Sequence, residues 1–379
     1  MRGQIFAFMA AAAAVIFASC SGGKGSHYAD MPGDTLTSRA RLLTLVDKGD
    51  FVEAVIADPW NDGRKLASYA LVDRNKPAPE GIEKEYTVVN VPLQRSIVYS
   101  STNSAAINEL GVLHAIAAVA DGNYYTPGDT VAKLIASGRI TDIGNSMSPK
   151  PETIVDVDPD AILVSPYENA GHGVLDELGV TVIDCADYME PEPLSRAEWL
   201  LFLGELYGNR ELARSIYNQV VTDYETLRQQ ASEATSAKPK VLTEVLTSGV
   251  WYVPGGNSYM ARMLNDAGAD YPWSDDSSTG SLQLGIEAVI DKASDADIWL
   301  ARYYGDLSNK TKMLDISPLN ANFKAYQNGE IYNCNPLEKP IFNDVAFHPE
   351  RVLLDFIIIF HPELFPGLET CYYTKVADK

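Results

Sequence analysis

The longest unbroken hydrophobic periodicity in the chain runs from Asn209 to Lys238. Apolar residues recur at Leu212, Ala213, Ile216, Tyr217, Val220, Val221, Tyr224, Leu227 and Ala231, which is the i, i+3, i+4, i+7 stripe of an amphipathic helix. Asn209 can cap its start, Glu211 suits the positive end of the helix dipole, and Pro239 stops it. At about 1.5 Å per residue the helix would be roughly 39 Å long. Strand-helix sequence flanks it on both sides. The pattern predicts a rigid strut between two α/β lobes; a long helix packed along a single domain is the alternative.

Before the strut, short apolar runs alternate with helical ones. Strands are predicted at 97–99, 115–120, 161–165 and 180–184, and helices at 104–110, 130–137, 152–157 and 173–178, several stopped by a glycine. Such alternation implies a parallel sheet covered on both faces. Ser195 and Glu198 have the spacing of a capping box for a helix reaching Tyr207. After the strut come strands at 241–246, 251–252, 298–301 and 330–334, and helices at 258–267, 286–293, 323–327 and 351–360. The last helix is apolar on all sides from Phe356 to Phe360, so it should be deeply buried. Ahead of both lobes, Phe51–Ala57 and Leu66–Asp73 flank Asn61-Asp62-Gly63, a hairpin signature, and 86–91 reads as a further strand. Residues 27–50 are polar and read as only partly helical.

The 379 residues suffice for two domains, and 46% hydrophobic content can fill their cores. A net charge of −21 argues against nucleic acid, whose phosphates it would repel. The N-terminus carries Arg2, an apolar run from Ile5 to Ala18, then Ser19-Cys20. That run is short for a membrane span and suits a signal-peptide core. Phe17-Ala18-Ser19-Cys20 resembles a bacterial lipobox, which implies cleavage before Cys20 and acylation of it; a plain secretory signal is the alternative. Gly- and Ser-rich residues 21–26 then read as a flexible tether. Of the remaining cysteines, Cys334 and Cys371 could pair in an oxidising envelope, leaving Cys185 over.

The two halves echo each other. Glu152-Thr-Ile-Val-Asp156 with Asp158-Pro-Asp160 precedes one buried strand, and Glu287-Ala-Val-Ile-Asp291 with Asp295-Ala-Asp297 precedes another. With the stretches 144–163, 175–184, 209 onward, 258–268, 287–300 and 351–365, the chain resembles the periplasmic substrate-binding proteins that deliver iron-siderophores, haem or cobalamin to ABC importers. The resemblance covers roughly residues 90–365. It implies two Rossmann-like lobes joined by the long helix, a ligand cleft between them and little hinge motion. It also implies that Glu152 and Glu287 dock on arginines of the importer's membrane subunits, a role whose physics is sound because charge pairs set register at a transient interface. Either glutamate is also simply a good first-turn residue. The expected organisation is a signal peptide at 1–19, a lipid-anchored tether at 20–50, an N-terminal β extension at 51–91, a first lobe at 92–208, the linking helix at 209–238 and a second lobe at 239–379. The extra β section departs from compact family members.

Open α/β sheets bind ligands at the carboxyl ends of their strands. There the first lobe places Tyr99, Ser100, Ser101, Asn103, Tyr124, Tyr125 and Tyr167. The second places Trp251, Tyr252, Asn257, Tyr259, Arg302, Tyr303 and Tyr304. Aromatic faces with phenol hydroxyls suit a flat, conjugated, partly polar guest, and Arg302 could meet a carboxylate or catecholate. The expected activity is therefore capture of a metal chelate by a lipid-anchored, periplasm-facing monomer that feeds an ABC importer, without catalysis or a resident cofactor. Two other classes compete. A binder of a bare divalent ion would need clustered ligands, yet His27, His114, His172, His348 and His361 are scattered. An envelope α/β hydrolase would need a nucleophile elbow, and no GxSxG occurs.

Overall fold

A computed structural model describes residues 28–125, 128–234 and 237–378. The periodic stretch forms one uninterrupted helix, Arg210–Ser232. It buries Ala213, Tyr217, Val220, Tyr224 and Ala231, whereas Leu212 lies exposed. The helix stops short of the expected Lys238. Asn209 stands at its start but does not cap it; its amide donates instead to the Leu110 carbonyl at 2.7 Å.

The first lobe is a five-stranded sheet, all parallel, in the order Thr181–Asp184, Ala161–Val164, Ser96–Val98, Ile116–Val119, Thr141–Asp142. Every residue of Ala161–Val164 is buried, as a strand covered on both faces requires. The second lobe holds Val241–Thr243, Ile298–Arg302 and Ile331–Cys334 in parallel, with Thr374–Lys375 antiparallel at the edge. Beside it lies a three-stranded antiparallel sheet, Leu246–Thr247, Val250–Pro254 and Ser281–Leu284. Mixed α/β lobes joined by the long helix are thus present as expected.

Helices join the lobes. The linking helix packs on Trp199–Leu206 from the first lobe and on Pro349–Phe360 from the second. The helix Ser101–Glu109 packs directly on Ile341–Phe347 of the second lobe. There Ser101 donates to Asn343 Oδ1 at 3.3 Å, and His348 Nε2 meets Glu109 Oε2 at 2.7 Å. One apolar cluster consequently runs from Leu43 in the N-terminal sheet to Val376 at the far end of the second lobe.

Three expectations need correction. The section 20–50 is structured from Tyr28 onward, where Tyr28–Asp30 forms a short 3-10 turn. Asp34–Thr35 and Leu43–Asp47 open a five-stranded sheet completed by Val52–Ala57, Lys65–Asp73 and Thr87–Val91. Leu43 and Leu45 point into the core, an alternation too short to register in a polar stretch. The second correction concerns Ser195 and Glu198, which form no capping box. The expected helix breaks into Pro193–Ala197 and Trp199–Leu206, and Ser195 Oγ donates to the Arg39 carbonyl at 2.8 Å. Buried Glu198 accepts from the backbone N–H groups of Ser38, Arg39 and Ala40 at 2.9, 2.7 and 2.7 Å. Glu190 does the same for Arg41 and Leu42. Lastly, Cys334 and Cys371 are not bridged: Cys185 and Cys334 are buried thiols and Cys371 is exposed. Cys20 and the apolar leader lie outside the described residues.

Truncating Glu198 to alanine removes the carboxylate that three backbone donors share. Urea unfolding of Glu198→Ala should show a loss of roughly 3 kcal/mol, with a steeper loss of protection from hydrogen exchange at residues 38–40 than in the linking helix.

Candidate functional site

At the carboxyl ends of the first lobe's strands the chain leaves a cavity of about 620 Å³. Each wall is the turn that follows one strand. Tyr99, Ser100 and Ser101 follow Ser96–Val98; Asp121, Tyr124 and Tyr125 follow Ile116–Val119; residues 146–149 follow Thr141–Asp142; residues 164–167 and 170–175 follow Ala161–Val164. Six of the expected residues therefore share one cavity: Tyr99, Ser100, Ser101, Tyr124, Tyr125 and Tyr167.

Their side chains are set by identifiable bonds. Ser100 caps the helix Ser101–Glu109, accepting from the Asn103 N–H at 3.4 Å. Tyr125 is buried and shares a hydrogen bond of 2.8 Å with Ser104. The Tyr99 hydroxyl oxygen is shielded from solvent and has no hydrogen-bond partner in the protein. Burial, with the nearby Asp121 carboxylate, pushes its pKa up to about 12. Asp121 adopts a left-handed conformation (φ 52°) and accepts from the N–H and hydroxyl of Ser146, which ties two walls together. Tyr124, Met147 and Tyr167 form an exposed rim. Asn103 lies elsewhere; it is buried beside the Cys185 thiol.

His172 is the one histidine that lines the cavity among the described residues. Its Nε2 meets Asp184 Oδ1 at 3.0 Å and its Nδ1 meets Asp176 Oδ1 at 3.1 Å. The Asp184 hydrogen bond raises its pKa; burial opposes this, and Asp176 adds to it, leaving the value at about 9. The imidazole is thus a clamped cation at neutral pH. Among the described residues, no lysine or arginine lines the cavity.

The second lobe contributes differently from expectation. Tyr304 is exposed and stacks on Phe342, with ring centroids 6.3 Å apart and planes at 19°. Burial holds its hydroxyl above the usual tyrosine range; Arg302 opposes this, and Tyr124 of the other lobe adds to it, so the two rims face each other. Trp251 belongs to the core: it is fully buried, stacks on Trp299 at 5.6 Å and donates to the Thr243 carbonyl at 2.8 Å. Arg302 is consumed by a buried pair with Glu244 (Nε to Oε1, 2.9 Å) and lies against the Phe342 ring at 5.4 Å. Tyr303 lines a separate cavity with residues 246–249. Tyr259 lies beneath Arg196, 4.8 Å from guanidinium to ring centre. Tyr252 and Asn257 are exposed, the first on a strand and the second in a tight Gly-Gly loop. Glu152 and Glu287 are both exposed in the first turn of their helices.

Sequence reasoning missed Asp121, Ser146, Met147, Ser148 and His172. Asp121 immediately follows an expected strand and could have been found by the rule that found Tyr99. The others sit in loops whose polar residues carry no periodicity. Among the described residues, no group of three or more His, Cys, Asp or Glu side chains is arranged to hold a metal ion.

A family profile described as periplasmic binding protein matches residues 97–337. Two uncharacterized lipoproteins of Methanocaldococcus jannaschii are each 28% identical to this chain. One alignment covers 88% of this chain and 83% of the relative, the other 91% and 88%. Among solved structures, a periplasmic heme-binding protein from Pseudomonas aeruginosa shares the fold with a TM-score of 0.60 at 17% identity, over 76% of this chain and 99% of that one. Helicobacter pylori CeuE with Ni(II) bound gives a TM-score of 0.60 at 14% identity, over 75% and 88%. An ABC-type Fe3+-hydroxamate transport protein from Saccharomonospora viridis gives 0.55 at 18%, over 71% and 94%.

Two clamped histidines set the pH response. For His348, burial opposes charge, but the Glu109 and Glu350 hydrogen bonds outweigh it and the pKa rises to about 9. A folded pKa above the unfolded value of about 6.5 contributes stability that is complete below that value and lost as pH rises through about 9. The thermal midpoint should therefore decline between pH 6.5 and 9, and His172→Gln or His348→Gln should each flatten the decline.

Proposed function

Because the chain belongs to the periplasmic binding protein family, we propose that it captures a metal chelate in the first-lobe cavity and hands it to an ABC importer. The observation that carries this reading is the cavity itself: tyrosine rings and serine hydroxyls at the strand ends, faced by the Tyr304–Phe342 stack. That lining suits a guest with a flat or apolar body and a polar edge. The wall chemistry narrows its charge. With Asp121 in the lining, the His172 imidazolium already held between Asp176 and Asp184, and Arg302 already paired, a polyanionic catecholate would find no uncommitted cation. A neutral or cationic chelate, such as a ferric hydroxamate or a corrinoid, fits better. The fold neighbours that are described as binding heme or transporting Fe3+-hydroxamate support the general class.

Acylation of Cys20 would anchor the protein to a membrane of the cell envelope, facing the periplasm, a reading supported by the lipoprotein names of the two relatives. Glu152 and Glu287, exposed on matching helix starts of the two lobes, would then pair with cations of the importer.

A thermal-shift panel of haem, cobalamin, a ferric hydroxamate and a ferric catecholate tests the cargo. At about a hundredfold excess over Kd the true cargo should raise the melting point by roughly 3–4 °C, and the catecholate should give no shift. Docking is tested separately. The double variant Glu152→Ala, Glu287→Ala should keep the shift and lose uptake in cells; a fall in cargo affinity would refute the docking role.

A further inference from the structure

The N-terminal sheet lies outside the stretch matched by the family profile, yet one of its side chains connects it to the cavity. Tyr69, on the strand Lys65–Asp73, is buried with its ring against Phe202. Its hydroxyl donates to Asp184 Oδ2 at 3.2 Å, with the Val182 carbonyl at the same distance, and accepts from the Asp184 N–H at 3.0 Å. Asp184 ends the edge strand of the first lobe and is itself buried. Its other oxygen holds His172 Nε2, and His172 lines the cavity. A relay of three hydrogen-bonded side chains thus runs from the added sheet to the cavity wall.

The relay matters because Asp184 cannot orient itself. Its two oxygens could rotate about the terminal bond, and only a partner on the far oxygen fixes which one faces His172. Tyr69 supplies that partner from a rigid strand, bonding both the carboxylate and the backbone of the same residue. With Asp184 fixed and Asp176 gripping the opposite nitrogen, the imidazole plane has one orientation. Both ring nitrogens are then occupied, so His172 offers cargo its ring face and its carbon edge rather than a free N–H. Loosening Asp184 would free Nε2–H to turn into the cavity and would change the wall.

We propose that Tyr69 is a positioning residue for the cargo cavity, acting through Asp184 on His172, and that the N-terminal sheet is thereby a working part of the binding site. The proposal rests on the reading of this cavity as the cargo site. It accounts for a β extension that a two-lobe binder does not otherwise need.

The test uses the full chain, with a ferric trihydroxamate chelate as probe. Tyr69→Phe keeps the ring and its packing and removes the hydroxyl alone. In the unliganded wild type, His172 should show a downfield imidazolium Nε2–H resonance protected from exchange with solvent. In Tyr69→Phe that resonance should broaden or vanish, and chelate affinity should fall about tenfold. In a His172→Gln background the same Tyr69→Phe change should have no further effect on affinity, which a purely structural role would not produce. Asp184→Asn, which preserves shape but removes the charge, should match Tyr69→Phe and serves if that variant folds poorly. A protected His172 resonance persisting in Tyr69→Phe overturns the proposal, as does a loss of affinity that simply adds to that of His172→Gln. Failure of the wild type to bind any chelate would instead refute the reading of the cavity's function, and the resonance would still decide whether the relay exists.

Discussion

The whole arrangement depends on one shared layer of helices. Each parallel sheet needs cover on both faces, and between the lobes packs one connected set of helices, Ser101–Glu109, Trp199–Leu206, the linking helix Arg210–Ser232, Ile341–Phe347 and Pro349–Phe360, within a single apolar cluster. Because the two lobes share these helices, neither can be moved without uncovering the other. The continuous apolar cluster from Leu43 to Val376 is the direct expression of that sharing. The cavity opens where the first lobe's carboxyl strand ends rise above these helices, and the helix packing between the lobes opposes their relative motion.

Buried carboxylates do for irregular segments what the helical layer does for the sheets. Glu198 and Glu190 gather the N–H groups of residues 38–42, and Asp355 gathers those of Cys371, Tyr372 and Tyr373 at distances of 2.7, 2.7 and 3.1 Å. Backbone donors in a covered turn must find acceptors, and a carboxylate can accept several at once. Both segments would otherwise be loose ends of the chain. Anchored this way, the first carries the N-terminal sheet onto the lobe and the second closes the edge of the far sheet.

This explains what the sequence could and could not disclose. The linking helix was legible because its apolar stripe repeats over six turns, and the strand positions were legible because buried parallel strands are short runs of Ile, Val, Leu and Ala. Residues 38–42 were not, since their structure is dictated by Glu190 and Glu198 some 150 positions away. The same holds for Ser195 and Glu198, whose spacing matches a local motif but whose partners are distant. At the site, the rule that ligands gather at strand ends found the tyrosines of the first lobe, because that rule depends only on where strands stop. It failed for Trp251 and Arg302, which also stand near strand ends. An indole with a backbone acceptor within reach and a guanidinium beside Glu244 are satisfied in the core, and no one-dimensional pattern records that Glu244 curls back at positive φ to meet Arg302.

A fixed cleft also constrains how cargo can be chosen. Prising the lobes apart would expose apolar surface at about 2.5 kcal/mol for each 100 Å² uncovered, so under the proposed function large relative motion of the lobes is a costly means of recognition. Selectivity would then reside in a wall that is already in place. That wall is built almost wholly from the first lobe, and its fixed charges are the Asp121 carboxylate, tied to Ser146, and the His172 imidazolium, held between Asp176 and Asp184. A preformed surface pays little ordering entropy on binding, but it cannot adapt to a guest of the wrong charge. Under the proposed function, the few polar groups that orient the cavity wall would carry much of the discrimination among guests.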